Sequence, residues 1–344
     1  MHMADALLSP SVGITFWAAA LAAMGHASRR LRERLDQRLV PLMGVLGAFV
    51  FAAQMINFTI PGTGSSGHLG GGLLLAVVLG PEAAFLAMAS VLTVQALFFA
   101  DGGLLALGCN IWNLGFYPAF IAYPLVYRPL AGGGGRSVLL ASIAAAAVAL
   151  QLGAFSVVLE TVLSGRSELP FEAFVLFMQP IHLAIGLVEG LVTAGVIAYI
   201  RGARPELLEG RGVTAPLRSG VRLWRVAAVL LIAALLTGGA LSWFASTRPD
   251  GLEWSMERVY GRGELPEREG LSSSLKGFQE KTAVLPDYGF RPDDNEGKAS
   301  GEAVPTWPAV DAGASVSGIT GSLIVLGLIM MAGVCIRALR AAKA

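Results

Sequence analysis

Charged residues and cysteines are scarce in this sequence. Charged residues occupy 14% of the 344 positions and hydrophobic residues 54%, whereas an ordinary soluble domain has about 25% charged residues. The composition therefore predicts a membrane protein. A net charge of +1 argues against a nucleic-acid partner, for which we would expect a concentrated basic face. The only two cysteines, Cys109 and Cys335, lie in apolar runs, which argues against a disulfide framework.

Two further features are missing. The N-terminus has no basic segment ahead of its first apolar run, as a signal peptide would, and the basic cluster at residues 29–38 follows that run instead. This order predicts that the N-terminus lies outside the membrane and the cluster in the cytoplasm, so we expect Met1 and His2 to be retained and exposed on the outer side. The Gly-x-x-x-x-Gly-Lys-Ser/Thr motif is also absent, so we expect no ATP hydrolysis by the P-loop route.

Long apolar runs dominate what is present, and a spanning helix needs roughly 20 such residues. We predict an all-α polytopic membrane protein. Residues 1–200 form a helical bundle of about seven hydrophobic segments, and residues 201–225 form a basic cytoplasmic linker. Residues 226–344 then hold two further transmembrane helices that flank an extracytoplasmic loop at 246–314, with the C-terminus in the cytoplasm.

Two parts of this topology need comment. The third segment, Gly70 to Gly80, is short and is broken by Pro81, so we predict a short helix, a turn and a fourth helix, and whether the short segment crosses the membrane stays open. The loop at 246–314 mixes charged residues with Pro, Gly and Ser, and we expect little secondary structure in it.

Two of the four histidines, His2 and His68, are placed by this topology at the same outer surface. The α-amine of Met1, the peptide nitrogen of His2 and its imidazole Nδ1 can bind one metal ion in a plane, and the imidazole of His68 could fill the fourth position. Ni(II) and Cu(II) prefer planar nitrogen ligands, and Co(II) is compatible after rearrangement. Glycines around His68 would let its loop fold over the N-terminal strand. We therefore predict a metal site formed by Met1, His2 and His68.

Other polar residues in apolar segments have two interpretations. Four of them lie near the outer ends of predicted helices and could surround the metal ligands: Asn57, Gln95, Asp101 and Asn110. His182 and Glu189 lie on one face of the seventh segment. An ionisable residue inside a membrane span is functional by default, and the alternative is a structural polar clamp to Gln151 or Asn113.

The stretch Gly64-Ser65-Ser66-Gly67 supports a different class of protein. It matches the GxSG pattern of intramembrane serine proteases of the rhomboid type, with His182 as a candidate base. The pattern is short, and glycine and serine are abundant in this chain. In the predicted topology this serine would lie in an outer bend and not at the mouth of a buried helix, which argues against a protease.

Three stretches, Met1 to Asp5, residues 61–81 and residues 95–113, resemble the CbiM/NikM family, the substrate-binding S components of energy-coupling-factor transporters for cobalt and nickel. The family's metal site uses the N-terminal amine, the amide and ring of a histidine at position two, and a loop histidine. The resemblance assigns these roles to Met1, His2 and His68. Further along, Pro249 to Glu253 and Leu285 to Gly289 resemble the PDGLE domain, which is similar to small two-span N components.

The resemblance implies a transport subunit of the cell inner membrane that imports Co(II) or Ni(II), is not itself an enzyme and carries no nucleotide. It also implies partners, namely a transmembrane coupling (T) subunit and ATPase subunits. An S component for an organic vitamin, with His2 incidental, is the alternative within this class.

Overall fold

The computed structural model describes residues 2–34, 39–165, 170–208, 223–263, 265, 270–291 and 307–341. Within these ranges the regular structure is helical except for one small antiparallel hairpin. Its strands are β1 (Phe58–Thr59) and β2 (Ser66–Gly67), and Phe58 is paired with Gly67. The prediction of an all-α bundle is confirmed. Cys109 is buried and Cys335 exposed, and both are free.

The first part of the chain forms a bundle in which each predicted hydrophobic segment has a helix. Its elements are α1 (Pro10–Arg34), α2 (Leu39–Gln54), α3 (Gly72–Leu79), α4 (Pro81–Phe99), α5 (Leu107–Ile111), a π-helical stretch (Trp112–Tyr127), α6 (Arg128–Leu130), α7 (Gly135–Ser164) and α8 (Phe171–Ala203). Pro118 and Pro124 lie inside the π-helical stretch, where their missing N–H groups would interrupt an ordinary helical ladder. Most of the proposed linker at 201–225 lies outside the described residues.

Several helices are suited to a membrane. Four are long and apolar enough to cross one: Pro81–Phe99, Gly135–Ser164, Phe171–Ala203 and Ala312–Ala338. Two shorter helices, Leu39–Gln54 and Trp224–Gly239, are also apolar. Large apolar side chains such as Leu125, Leu163 and Leu176 face outward, where lipid tails would cover them. The chain is therefore a multi-pass membrane protein.

The short third segment is a helix, as predicted. α3 has eight residues and so rises about 12 Å, and Pro81 begins α4 at a position where proline is tolerated in a helix. Every residue of α3 is buried. A helix that short is compatible with a membrane because protein surrounds it, so that its terminal backbone groups can find partners there.

The last part of the chain packs against the bundle through two helices. α9 (Leu223–Gly239) and α12 (Ala312–Ala341) contact each other and α2, and α12 also contacts α4. α9 and α12 cross where Gly238 meets Gly318: a Cβ atom at Gly238 would lie 2.8 Å from the Cα atom of Gly318. Only glycine on both helices permits this approach.

The expectation of little secondary structure at 246–314 was wrong for the described residues. This region contains α10 (Gly251–Tyr260) and α11 (Leu271–Thr282). The start of α10 is fixed by a capping box, in which the Asp250 side chain accepts from the N–H groups of Leu252 and Glu253, and the Glu253 side chain accepts from the Asp250 N–H. An Asp followed three residues later by Glu is a helix-start signal in the sequence. The polar composition outweighed it in our prediction.

Replacing Gly318 with alanine should force α9 and α12 apart. We expect a loss of about 1–3 kcal/mol in stability, typical of overpacking, and a lower apparent Tm of the detergent-solubilised protein. Gly327→Ala on the same helix is the control, because a Cβ there meets nothing within 4 Å. Equal melting temperatures for the two variants would contradict the close crossing.

Candidate metal centre

Loops from distant parts of the chain meet at one end of the bundle. The N-terminal segment, residues 2–9, precedes α1, the hairpin and His68 follow α2, and residues 100–106 follow α4. Two pieces of the C-terminal region, residues 246–250 and the 3-10 turn Pro286–Tyr288, cover the same end.

His2 and His68 lie next to each other at this end. Their ring centroids are 5.1 Å apart and the ring planes differ by 23°. The Nε2 atom of His2 is 3.2 Å from Oε1 of Gln95, and its Nδ1 atom is 3.5 Å from Oδ1 of Asp101. Met1 lies outside the described residues. Within those residues no group of three or more His, Cys, Asp or Glu side chains is arranged to hold a metal, so two imidazoles are the described candidate ligands.

The protonation of both imidazoles suits metal binding. Burial lowers the pKa of His68 to about 4, and burial also lowers the pKa of His2, although the Asp101 carboxylate opposes that shift. Both rings are therefore neutral at neutral pH, as a ligating imidazole must be. The Nδ1 atom of His68 donates to the carbonyl of Leu69 at 3.0 Å, since a carbonyl can only accept. Its Nε2 atom therefore keeps a free lone pair.

The N-terminal segment is held by hydrogen bonds to the N–H and to the carbonyl of Met3. The N–H of Met3 donates to Oδ1 of Asn110 at 2.9 Å, and the carbonyl of Met3 accepts from the N–H of Gly103 at 2.8 Å. Further along, Oδ1 of Asp5 accepts from the N–H of Ala106 at 2.9 Å. These bonds fix the backbone that carries His2 against the loop between α4 and α5.

Glu189 fixes the loop that carries His68. Its Oε2 atom accepts from the N–H of Gly70 at 2.7 Å. The carboxylate thus lies at the N-terminus of α3, where the helix dipole favours negative charge. On the other side of the loop, Nε2 of Gln54 donates to the carbonyl of Gly70 at 2.8 Å.

The predicted polar pair of His182 and Glu189 is not hydrogen-bonded. Nδ1 of His182 donates to the carbonyl of Met178 at 2.8 Å, within its own helix, while Glu189 bonds to the loop before α3. The alternative clamp to Gln151 or Asn113 is also not what the structure shows: Gln151 bonds to Gln179 of α8, and Asn113 donates to Glu160 of α7. A seven-residue spacing placed the two groups on one helix face, but His182 bonds within its own helix and Glu189 bonds to a loop from elsewhere in the chain.

Ser66 has no catalytic arrangement. Its hydroxyl donates to the carbonyl of Arg248 at 2.8 Å, it is fully buried, and it is not hydrogen-bonded to His182. The serine of the protease pattern is a structural residue that joins β2 to the C-terminal region.

The C-terminal region contacts the loop that carries His68 and the loop that follows α4. The carbonyl of Pro249 accepts from the N–H of Ser66 at 2.8 Å, and a Cβ atom at Gly251 would lie 3.1 Å from Cε1 of His182. On the other side, the hydroxyl of Tyr288 donates to Oδ2 of Asp101 at 2.5 Å. Burial, and then the Asp101 charge, raise the pKa of Tyr288 well above its usual value, so the phenol remains a donor.

Of the four residues expected to surround the ligands, Gln95 and Asp101 contact His2 and Asn110 holds the neighbouring residue. Asn57 is not hydrogen-bonded to either histidine: its backbone carbonyl accepts from the N–H of Ser246 at 2.7 Å, and its buried Oδ1 atom has no hydrogen-bond partner in the described part of the chain. Gln54 and Tyr288 were missed. A single amide at the end of an apolar helix was the only signal for Gln54.

A cavity of about 780 Å³ lies between the metal centre and the C-terminal region. Its lining includes His2, His68 and Asn57. More acidic than basic side chains line it: Asp5, Asp101, Asp250, Glu253, Glu280 and Asp287 against Arg248 and Lys276. Such a lining raises the local concentration of cations.

Two family models match this chain. The model described as the cobalt uptake substrate-specific transmembrane region, CbiM, matches residues 2–207, and the PDGLE domain matches residues 224–338.

Relatives agree with both matches. The putative fused nickel transport protein NikMN of Archaeoglobus fulgidus is 34% identical over 330 residues, covering 95% of this chain and 96% of the relative. The cobalt transport protein CbiM of Sorangium cellulosum is 33% identical over 61% of this chain and 95% of its own length. A crystal structure described as a transition metal transporter is 30% identical, with a TM-score of 0.52, over 59% of this chain and 93% of that chain.

Replacing Glu189 with leucine should loosen the loop that carries His68. The N–H group of Gly70, just before α3, would lose its acceptor, and an unsatisfied buried N–H costs roughly 1–3 kcal/mol. We expect faster hydrogen–deuterium exchange in residues 69–75 and a lower Tm. The exposed Glu172, near the start of the same helix, supplies the control Glu172→Leu. Unchanged exchange in Glu189→Leu would show that the carboxylate does not hold the loop.

Proposed function

The chain belongs to the CbiM family of cobalt-uptake substrate-specific transmembrane proteins and carries a PDGLE domain, and from this premise we propose that it captures Co(II) or Ni(II) for an ATP-driven importer. That it is a component of a metal uptake transporter follows from the family. The observation that supports the specific site is the adjacency of His2 and His68, whose ring centroids are 5.1 Å apart although the residues are far apart in the chain.

The metal ligands in this proposal are the amine of Met1, the peptide nitrogen and Nδ1 of His2, and the imidazole of His68. The first three are consecutive in the covalent structure, so one ion can close two chelate rings with them. Nδ1 is the only ring nitrogen near enough to the backbone to take part. Nε2 of His68, left with a lone pair by the bond from Nδ1 to Leu69, supplies the fourth nitrogen of a planar set.

The metal reaches this set through the acidic cavity and is released when partner subunits reorient the protein. We propose a transmembrane coupling (T) subunit and ATPase subunits of the energy-coupling-factor class, because the sequence has no P-loop motif. In this proposal the end of the bundle that carries the metal site faces outward, and the C-terminus is cytoplasmic. Names of relatives, which include nickel and cobalt transport proteins, support a metal over an organic vitamin.

The same proposal divides the chain into three functional regions. Residues 1–200 form the metal-binding S component, residues 201–225 a basic cytoplasmic linker, and residues 226–344 a two-span PDGLE region. The outer part of that region, within 246–314, covers the metal centre through Ser66 and Asp101.

Adding two residues before Met1 tests the chelate. A histidine at the third position would offer four consecutive nitrogens of its own, so a one-residue extension would create a new planar site. The two-residue extension shifts His2 to the fourth position, where the amine and Nδ1 can no longer close adjacent chelate rings through one peptide nitrogen. We expect Ni(II) affinity in equilibrium dialysis of the purified protein to fall by at least the roughly 10–100-fold that loss of an outer-shell group costs. The same two residues added after Ala344 are the control.

Replacement of His68 completes this experiment. His68→Ala should weaken binding while leaving the three N-terminal nitrogens, whereas His26→Ala, at an exposed position on α1, should not. Full affinity in both the extended protein and His68→Ala would rule out the proposed ligands.

Transport should depend on partners. In proteoliposomes, radioactive Ni(II) is expected to accumulate only when coupling and ATPase subunits of the energy-coupling-factor class are incorporated and ATP is supplied on their side. Accumulation by this chain alone, at the same rate without ATP, would contradict the proposed energy source.

A further inference from the structure

We propose that Gln54 and Gln95 form a hydrogen-bond relay that fixes the tautomer of His2 and connects His2 to the loop that carries His68. This inference rests on the proposed function, because the tautomer matters only if Nδ1 of His2 binds the metal. Both amides act through other residues and are positioning residues.

The direction of the relay is set at Gly70. A backbone carbonyl can only accept a hydrogen bond, so the side-chain atom of Gln54 that lies 2.8 Å from the carbonyl of Gly70 is its nitrogen. The oxygen of Gln54 therefore points the other way. It accepts from Nε2 of Gln95 at 2.8 Å, and this bond orients the second amide in turn.

The same logic continues to His2. With its nitrogen directed at Gln54, Gln95 presents its oxygen to Nε2 of His2 at 3.2 Å. An amide oxygen can only accept, so Nε2 of His2 carries the hydrogen. In the neutral ring Nδ1 then has the lone pair. Nδ1 is the one ring nitrogen that can form a chelate with the peptide nitrogen of its own residue.

Asp101 lies on the Nδ1 side of the His2 ring. Its Oδ1 atom is 3.5 Å from Nδ1, longer than an N–H···O hydrogen bond, so this contact does not assign the ring hydrogen to Nδ1. The lone pair that the relay leaves on Nδ1 and the Asp101 carboxylate therefore lie next to one region, and a cation there would be attracted to both.

The relay also connects the two ligand-bearing segments. At one end Gln95 contacts His2, and at the other Gln54 holds Gly70, whose N–H donates to Glu189. Gln54 is 5% exposed and Gln95 is fully buried. Burying amides among apolar helices is unfavourable unless their hydrogen bonds are made, and a fully satisfied buried network restricts the structure to one arrangement.

The test compares variants that keep or remove the acceptor next to His2. Gln95→Glu keeps an oxygen toward Nε2 of His2 but loses the donor to Gln54, so it should keep the Nε2–H tautomer of His2 and lose less Ni(II) affinity than a variant without an acceptor. Gln95→Met has similar size but no acceptor, and we expect about a 10–100-fold loss of affinity, the usual effect of removing a group that orients a metal ligand. Gln54→Met should give a smaller loss together with faster hydrogen–deuterium exchange at residues 69–73.

A second readout needs no metal. In the full-length protein labelled with ¹⁵N-histidine, the nitrogen chemical shifts report which ring nitrogen carries hydrogen. We expect His2 in the Nε2–H form in the wild type and in Gln95→Glu, and a mixture of tautomers in Gln95→Met. Gln151→Met removes an interhelical amide bond on α7 and serves as the control with unchanged His2 shifts and affinity.

The results separate this inference from the proposed function. His2 held as the Nδ1–H tautomer in the wild type, or a Gln95→Met variant with wild-type shifts and affinity, would overturn the relay even if the protein binds nickel. A wild type that shows the Nε2–H form and its loss in Gln95→Met would support the relay. Absence of nickel binding in that same wild type would refute the proposed function separately.

Discussion

The position of the His68 loop depends on one residue, Gly70. Its carbonyl accepts from Gln54 of α2, and its N–H donates to the carboxylate of Glu189 from α8. The first helix lies next to the loop in sequence, whereas the second lies more than a hundred residues away. Because both backbone groups of Gly70 are bonded to buried side chains of two different helices, they hold the loop relative to both.

The rest of the metal centre extends from that point. Gln54 is hydrogen-bonded to Gln95, and Gln95 contacts His2. Asn110 and Gly103 hold the backbone next to His2. The C-terminal region then bonds to the loop that carries His68 through Ser66, and to the loop after α4 through Tyr288 and Asp101. A site built in this way places two imidazoles together without requiring any one loop to be rigid alone. In the proposed function, the acidic cavity beside the site is the path of the cation.

Much of the helical architecture could be predicted, because apolar runs of spanning length and the break at Pro81 are local features of the sequence. The proximity of His2 and His68 could be predicted from the number of membrane crossings between them, which places both residues on the same side of the membrane. The partners of Glu189 could not be predicted: a carboxylate on a helix face shows that it needs donors but not which loop supplies them. Gln54 had no distinguishing pattern, and α10 was missed because the polar composition of its loop outweighed the capping signal at Asp250 and Glu253.

The central claim is that one ion is bound by the N-terminal amine, two nitrogens of His2 and the imidazole of His68. X-ray absorption spectroscopy of the nickel-loaded, full-length protein tests it most directly. The account predicts four nitrogen ligands at about 2 Å in a planar arrangement, with at least one imidazole scattering signature lost in His68→Ala. A six-coordinate ion with mainly oxygen ligands, or a sulfur ligand, would contradict it.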